Sequence, residues 1–133
     1  MKVELLCLCD FASVDAGGKL NLLGVFDSIQ INETPASHGL AALAGKISFQ
    51  AEEAGLKKFK IGFYDPERKL VMPPMEAEIE VNPLENESTA NAQIVLLISQ
   101  IRLPSFGKYL IELEIENKLF ASTVLHVRKF PSR

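Results

Sequence analysis

Residues 107–127, GKYLIELEIENKLFASTVLHV, constrain the fold more than any other stretch. Tyr109, Ile111, Leu113 and Ile115 alternate with Leu110, Glu112, Glu114 and Glu116. Successive side chains of a strand point to opposite faces, so this segment has one apolar face and one largely acidic face. A second β-rich run, residues 119–127, follows a turn near Asn117-Lys118. Together they read as a hairpin whose apolar face must lie on another sheet. Two registers fit. A two-residue Asn117-Lys118 turn suits an Asn in the left-handed region and pairs Ile115 with Phe120, Ile111 with Val124 and Tyr109 with His126. A three-residue turn places Ala121, Thr123, Leu125 and Val127 on the apolar face and turns His126 and Arg128 to water. A β-bulge reconciles the two.

The rest of the chain reads in the same period. Residues 2–12 form a first strand with Val3, Leu5, Cys7, Cys9 and Phe11 on one face and Leu6 and Leu8 on the other. Apolar side chains on both faces mark a central strand or one at a subunit contact. Residues 15–18 are a turn, and residues 19–32 a second strand interrupted by Gly24, which signals a bulge or a close backbone approach. Residues 33–38 read as a loop between sheets. In residues 40–50, Leu43, Gly45, Ile47 and Phe49 alternate with Ala42, Ala44, Lys46 and Ser48, a strand despite the alanines. Residues 57–65 carry Phe59, Ile61 and Phe63 inward, and Asp65-Pro66-Glu67-Arg68 is a β-turn with Pro at its favoured second position. Pro73-Pro74 excludes a central strand. Ala77, Ile79 and Val81 then alternate with Glu76, Glu78 and Glu80. Residues 82–90 are the longest polar stretch and read as a loop. Residues 91–103 form a long strand with Ile94, Leu96 and Ile98 on one face and Val95 and Leu97 on the other.

About eight strands, regular turn signals and no helical run predict an all-β chain: a two-sheet antiparallel β-sandwich, loosely Ig-like, spanning residues 1–133 as one domain. The Cys…Trp…Cys core of antibody domains is absent, since the chain has no Trp. A chain of 133 residues buries roughly two thirds of its unfolded surface and needs neither disulfide nor metal to fold. Cys7 and Cys9 lie at i and i+2 of one strand, roughly 6.5–7 Å apart, too far for an easy bridge. They fit buried free thiols in a reducing compartment, so the expected localisation is cytoplasmic. No signal peptide and no membrane span is visible.

The opening, a strand ending in Cys9-Asp10 followed by Gly18-Lys19-Leu20-Asn21-Leu22-Leu23-Gly24, resembles a family of small bacterial proteins whose domain has no assigned function. The close does too, from Leu103-Pro104-Ser105-Phe106-Gly107-Lys108-Tyr109 to the hairpin ending in Val127. These motifs are turns and core positions. The resemblance therefore implies a β-sandwich and transfers no catalytic or binding residue.

The residues point to no chemistry of their own. A net charge of −3 argues against a nucleic-acid partner. The basic clusters, Lys57-Lys58-Lys60 and Arg128-Lys129-Arg133, are short. His38 and His126 form no nucleophile–base motif with a serine, so no catalytic residue is expected and the chain is read as a non-enzyme. No cofactor loop appears, and Cys7 and Cys9 lack further ligands for a metal. The stripes Glu76-Glu78-Glu80 and Glu112-Glu114-Glu116 are wet strand faces, or six carboxylates for a hard cation if their strands are adjacent. The expected function is a non-catalytic protein-interaction or assembly module that self-associates as a homo-oligomer or binds another protein. Its contact would use Leu6, Leu8, Val95 and Leu97, unless these merely belong to central strands. The alternatives are a sandwich that binds a small ligand or carbohydrate, or a metal-dependent enzyme.

Overall fold

In the computed structural model, which describes residues 1–82 and 88–131, the alternating runs become nine strands. They are β1 (Lys2–Val14), β2 (Leu20–Phe26), β3 (Ser28–Ile31), β4 (Ala36–Gln50), β5 (Gly55–Tyr64), β6 (Met75–Val81), β7 (Thr89–Leu103), β8 (Gly107–Ile115) and β9 (Lys118–Lys129). Among the described residues there is no α-helix, only a 3-10 turn at Ala51–Glu53. One sheet has the order β2-β1-β4-β7 and the other β3-β9-β8-β5-β6. The expected loop at residues 33–38 is shorter, because β4 already begins at Ala36. Of the expected loop at residues 82–90, residues 83–87 lie outside the described residues, and Thr89 and Ala90 belong to β7.

Two expectations are corrected by one kink. The second strand divides at Asp27 into β2 and β3, which join different sheets. This raises the count from eight to nine. It also breaks the all-antiparallel pattern, since β3 runs parallel to β9, Ser28 opposite His126 and Ile31 opposite Lys129. The backbone N–H of His126 donates to the Asp27 carbonyl at 2.8 Å, fixing the crossing. The strands then match an immunoglobulin sandwich in connectivity: β4 and β7 stand where strands B and E do, and β5, β8 and β9 where C, F and G do. Strand β1 is an addition, wedged between β2 and β4 and antiparallel to both.

The core lies between the sheets, with Leu43, Ile47 and Phe49 of β4 facing Phe63, Ile111 and Leu125 from the other layer. Each such fully buried side chain stabilises the fold by roughly 1.5–3 kcal/mol. Tyr109 is completely buried and packs edge-on to Phe63, with ring centroids 6.3 Å apart. Its hydroxyl donates to the Ser105 carbonyl at 2.7 Å and accepts from the Ser105 N–H at 3.2 Å. The ring thus pins the corner where the chain passes from one sheet to the other, as a tyrosine corner does at the start of strand F.

The closing hairpin follows the second register considered for it, with Leu125 and Val127 on the apolar face, and none of the pairs of the first (Ile115 with Phe120, Ile111 with Val124, Tyr109 with His126) forms. Tyr109 faces Leu125, Ile111 faces Thr123 and Leu113 faces Ala121; a shift after Leu113 then pairs Glu114 with Leu119 and Ile115 with Lys118. Phe120 is the residue bulged out, and it still packs against the core. The turn residues are Glu116 and Asn117, both at positive φ (51° and 66°), which fits a two-residue primed turn one position earlier than expected.

Candidate functional site

The first strand presents the opposite face from the one expected. Leu8 is only 1% exposed inside the inter-sheet core, and Leu6 packs against that core. A register irregularity between Val3 and Leu5 sends Val3 to the core and Leu5 to the outer face. The outer face of the four-stranded sheet is therefore lined by Cys7 and Cys9, beside Ala44 and Ala42 of β4 and Val95 and Leu97 of β7 in cross-strand rows.

This floor of small side chains has a cover made by the same chain. The alternation of β1 breaks at Asp10-Phe11, both exposed, and Gly24 on β2 stands opposite Asp10 at φ +68°. A Cβ on Gly24 would strike the Asp10 side chain, and its φ strains an L-residue, so this elbow favours glycine. Beyond it the β1–β2 hairpin folds back over the outer face. Ala12, Leu20 and Leu22 pack on Cys7, Cys9, Ala42 and Ala44. The Gln93 side-chain amide of β7 donates to the Gly18 carbonyl at the hairpin tip, at 2.7 Å. Cα atoms of β1 come within 8 Å of β7, although β4 separates the two strands in the sheet. Val95 is half-buried beneath this strap, whereas Leu97 stays 60% exposed. Of the four expected contact residues, only Leu97 lies open.

Beside Leu97 runs the free edge of β7. Among the described residues the backbone of this strand pairs with β4 alone, in one unbroken register from Ala36–Leu103 to Gln50–Thr89. Gln100 at φ +59° bends its far end and restores Ile101 and Leu103 to the core. The segment before that bend, residues 89–99, contains no charged side chain.

A family of unknown function, DUF6941, matches residues 4–128, from inside β1 to inside β9. The chain belongs to this family. No curated protein matches it.

Other sequence candidates fall apart in space within the DUF6941 sandwich. The two glutamate stripes are not neighbours, because β5 lies between β6 and β8. Lys58 stands opposite Glu78, and Lys60 opposite both Glu76 and Glu114. Glu112 takes Arg68 at 2.6 Å, and Glu116 accepts the Lys58 backbone N–H at 2.7 Å. The face is a set of alternating charge columns. Among the described residues no cluster of three or more Cys, His, Asp or Glu is placed to hold a metal. The Ser37 hydroxyl donates to the Gln100 side chain at 3.3 Å, and the neighbouring His38 ring lies tilted against Phe26 with centroids 5.7 Å apart. His126 sits on β9 against Ser28 of β3.

Cys7 and Cys9 are free and buried. Burial pushes both thiols up, with the charge of Cys9 adding for Cys7 and that of Asp10 for Cys9. Neither is poised as a nucleophile. No helix among the described residues is long and apolar enough to cross a membrane.

Proposed function

We propose that this domain is a non-catalytic assembly module that pairs with a second copy of itself along the free edge of β7. The observation that carries the reading is the contrast among the four sheet edges. Edge strands invite pairing unless they are short, charged or broken. β3 has four residues, β2 carries Gly24 at its elbow, and β6 carries Glu76, Glu78 and Glu80 just after Pro73-Pro74. β7 has 15 residues, with Arg102 its sole charged side chain. Antiparallel pairing of two β7 edges about a two-fold axis would make one eight-stranded sheet, an isologous contact of the commonest kind. Leu97, exposed beside the edge, would add apolar area toward the roughly 800 Å² per partner of a standard interface. The buried free thiols suit a reducing compartment, which supports a cytoplasmic setting.

Light scattering across a concentration series tests the reading. Wild type should shift from monomer to dimer, and Leu97→Lys should hold the monomer with unchanged melting. Glu78→Gln, on the other sheet, should dimerise as wild type does. A wild-type monomer at high concentration would overturn the proposal.

A further inference from the structure

We propose that the groove between the folded-back hairpin and the outer face of the four-stranded sheet binds a small amphiphile with a carboxylate head and an aliphatic body. The groove has a volume of about 580 Å³, within the range of small-molecule sites. Leu5 of β1 and Leu20 and Leu22 of β2 supply its apolar lining. Lys46 of β4 and Lys19 of the hairpin turn supply positive charge, and the Gln93 amide lies beside them.

The charge balance singles out this groove. No acidic residue lines it, and none of the ion pairs among the described residues involves Lys19 or Lys46. The lysines of the cleft on the opposite sheet, Lys58 and Lys60, share it with Glu76 and Glu78. Arg68, in the hollow beside Tyr64, is held by Glu112. On a chain of net charge −3, the strap groove thus places two lysines that form no ion pair among the described residues next to apolar surface, the nearby Asp15 carboxylate being held at the turn by the N–H groups of Gly17 and Lys19. A carboxylate meets the ammonium groups with charge-assisted hydrogen bonds. Its alkyl chain covers leucine side chains that the strap leaves half-buried. A cation is repelled, and a neutral alcohol gains only the apolar part.

Asn91 and Gln93 line the groove from the outward face of β7, not through its backbone edge, so the site does not require self-association. The test is calorimetric titration with decanoate, decanol and decylammonium below their aggregation concentrations. Decanoate should bind, decanol about tenfold more weakly, and decylammonium not measurably. Lys46→Gln and Lys19→Gln should each weaken decanoate several-fold while leaving decanol binding and the melting temperature unchanged. Leu97→Lys should bind decanoate as wild type does. The proposal is overturned if decanoate fails to bind, binds no better than decanol, or keeps its affinity in both lysine variants.

Discussion

Arg68 occupies in the turn at residues 65–69 the position that Gly18 occupies in the turn at residues 15–19. Each turn begins with an aspartate whose Oδ1 accepts two backbone N–H groups at 2.9 Å, from Gly17 and Lys19 in one and from Glu67 and Lys69 in the other. Each closes with the aspartate N–H donating to a lysine carbonyl, Lys19 at 2.9 Å and Lys69 at 2.8 Å. The fourth residue has positive φ in both, 81° at Gly18 and 63° at Arg68. Arg68 holds that conformation while its guanidinium lies 4.7 Å from the Tyr64 ring centroid and pairs with Glu112. Gly62 makes room for this arrangement, since a Cβ there would come within 2.7 Å of the Tyr64 ring.

The matched turns lead to opposite outcomes for alanine and glycine. Gly18→Ala forces an L-residue into the left-handed region and should cost about 1 kcal/mol. Arg68→Ala loses the stack and the ion pair but keeps the unfavourable φ. Arg68→Gly loses the same contacts and relieves it. Urea unfolding should therefore rank Arg68→Gly above Arg68→Ala in stability, and an equal pair would contradict the reading.

Tyr109→Phe keeps the ring in the core but removes the hydroxyl between the Ser105 N–H and carbonyl. The loss should be about 1–3 kcal/mol in urea unfolding, with the fold retained. A variant as stable as wild type would show that the corner does not depend on the hydroxyl.

The thiols report on the strap. Native protein should resist Ellman's reagent, and both thiols should react in urea. Gln93→Ala removes the bond to Gly18 and should speed native labelling about fivefold by making the hairpin easier to lift. Immediate labelling of wild type would show that Cys7 and Cys9 are not sealed.

Two carboxylates set an acid limit. Glu53 accepts the N-terminal amine at 2.7 and 2.8 Å and the Gln50 N–H at 3.0 Å, and these bonds hold it below the usual range. Asp15 is lowered by the N–H groups of Lys19 and then Gly17. A folded-state value below the unfolded one contributes stability at higher pH, and that contribution disappears as pH falls through the folded value. Urea midpoints should therefore drop as pH falls below about 4, and less steeply in Glu53→Gln. Parallel curves for the two proteins would exclude a role for Glu53.

Where one strand face is apolar and the other polar, as with Phe59, Ile61 and Phe63 against Lys58 and Lys60, alternation alone identifies the core side. In β1 both faces are apolar, and the period cannot say which is inner. Reading the Cys7 and Cys9 face as inner places Leu6 and Leu8 outward, although Leu8 is core and Leu6 packs against it. The small size of Cys7, Cys9, Ala42 and Ala44 was the available sign that something packs closely over them. The division at Asp27 left no mark, because Phe26, Ile29 and Ile31 continue an apolar pattern while the chain changes sheets. The separation of the glutamate stripes depended on strand order, which pairing between distant segments decides. Gly24 did signal a close approach, and its partner proved to be Asp10.

The placement of β1 between β2 and β4 bears on how the chain folds as it is made. β1 precedes β4 in the chain and ends as an inner strand, so its β2 hairpin can form early but its other edge stays bare until β4 emerges. The parallel clasp of β3 on β9 waits until β9, far along the chain from β3, has been made. With most pairings non-local, folding should fall in the slow range of roughly milliseconds to seconds. Until β4 arrives, the nascent chain carries an apolar strand with an open edge, and this is the interval in which it most needs protection from aggregation.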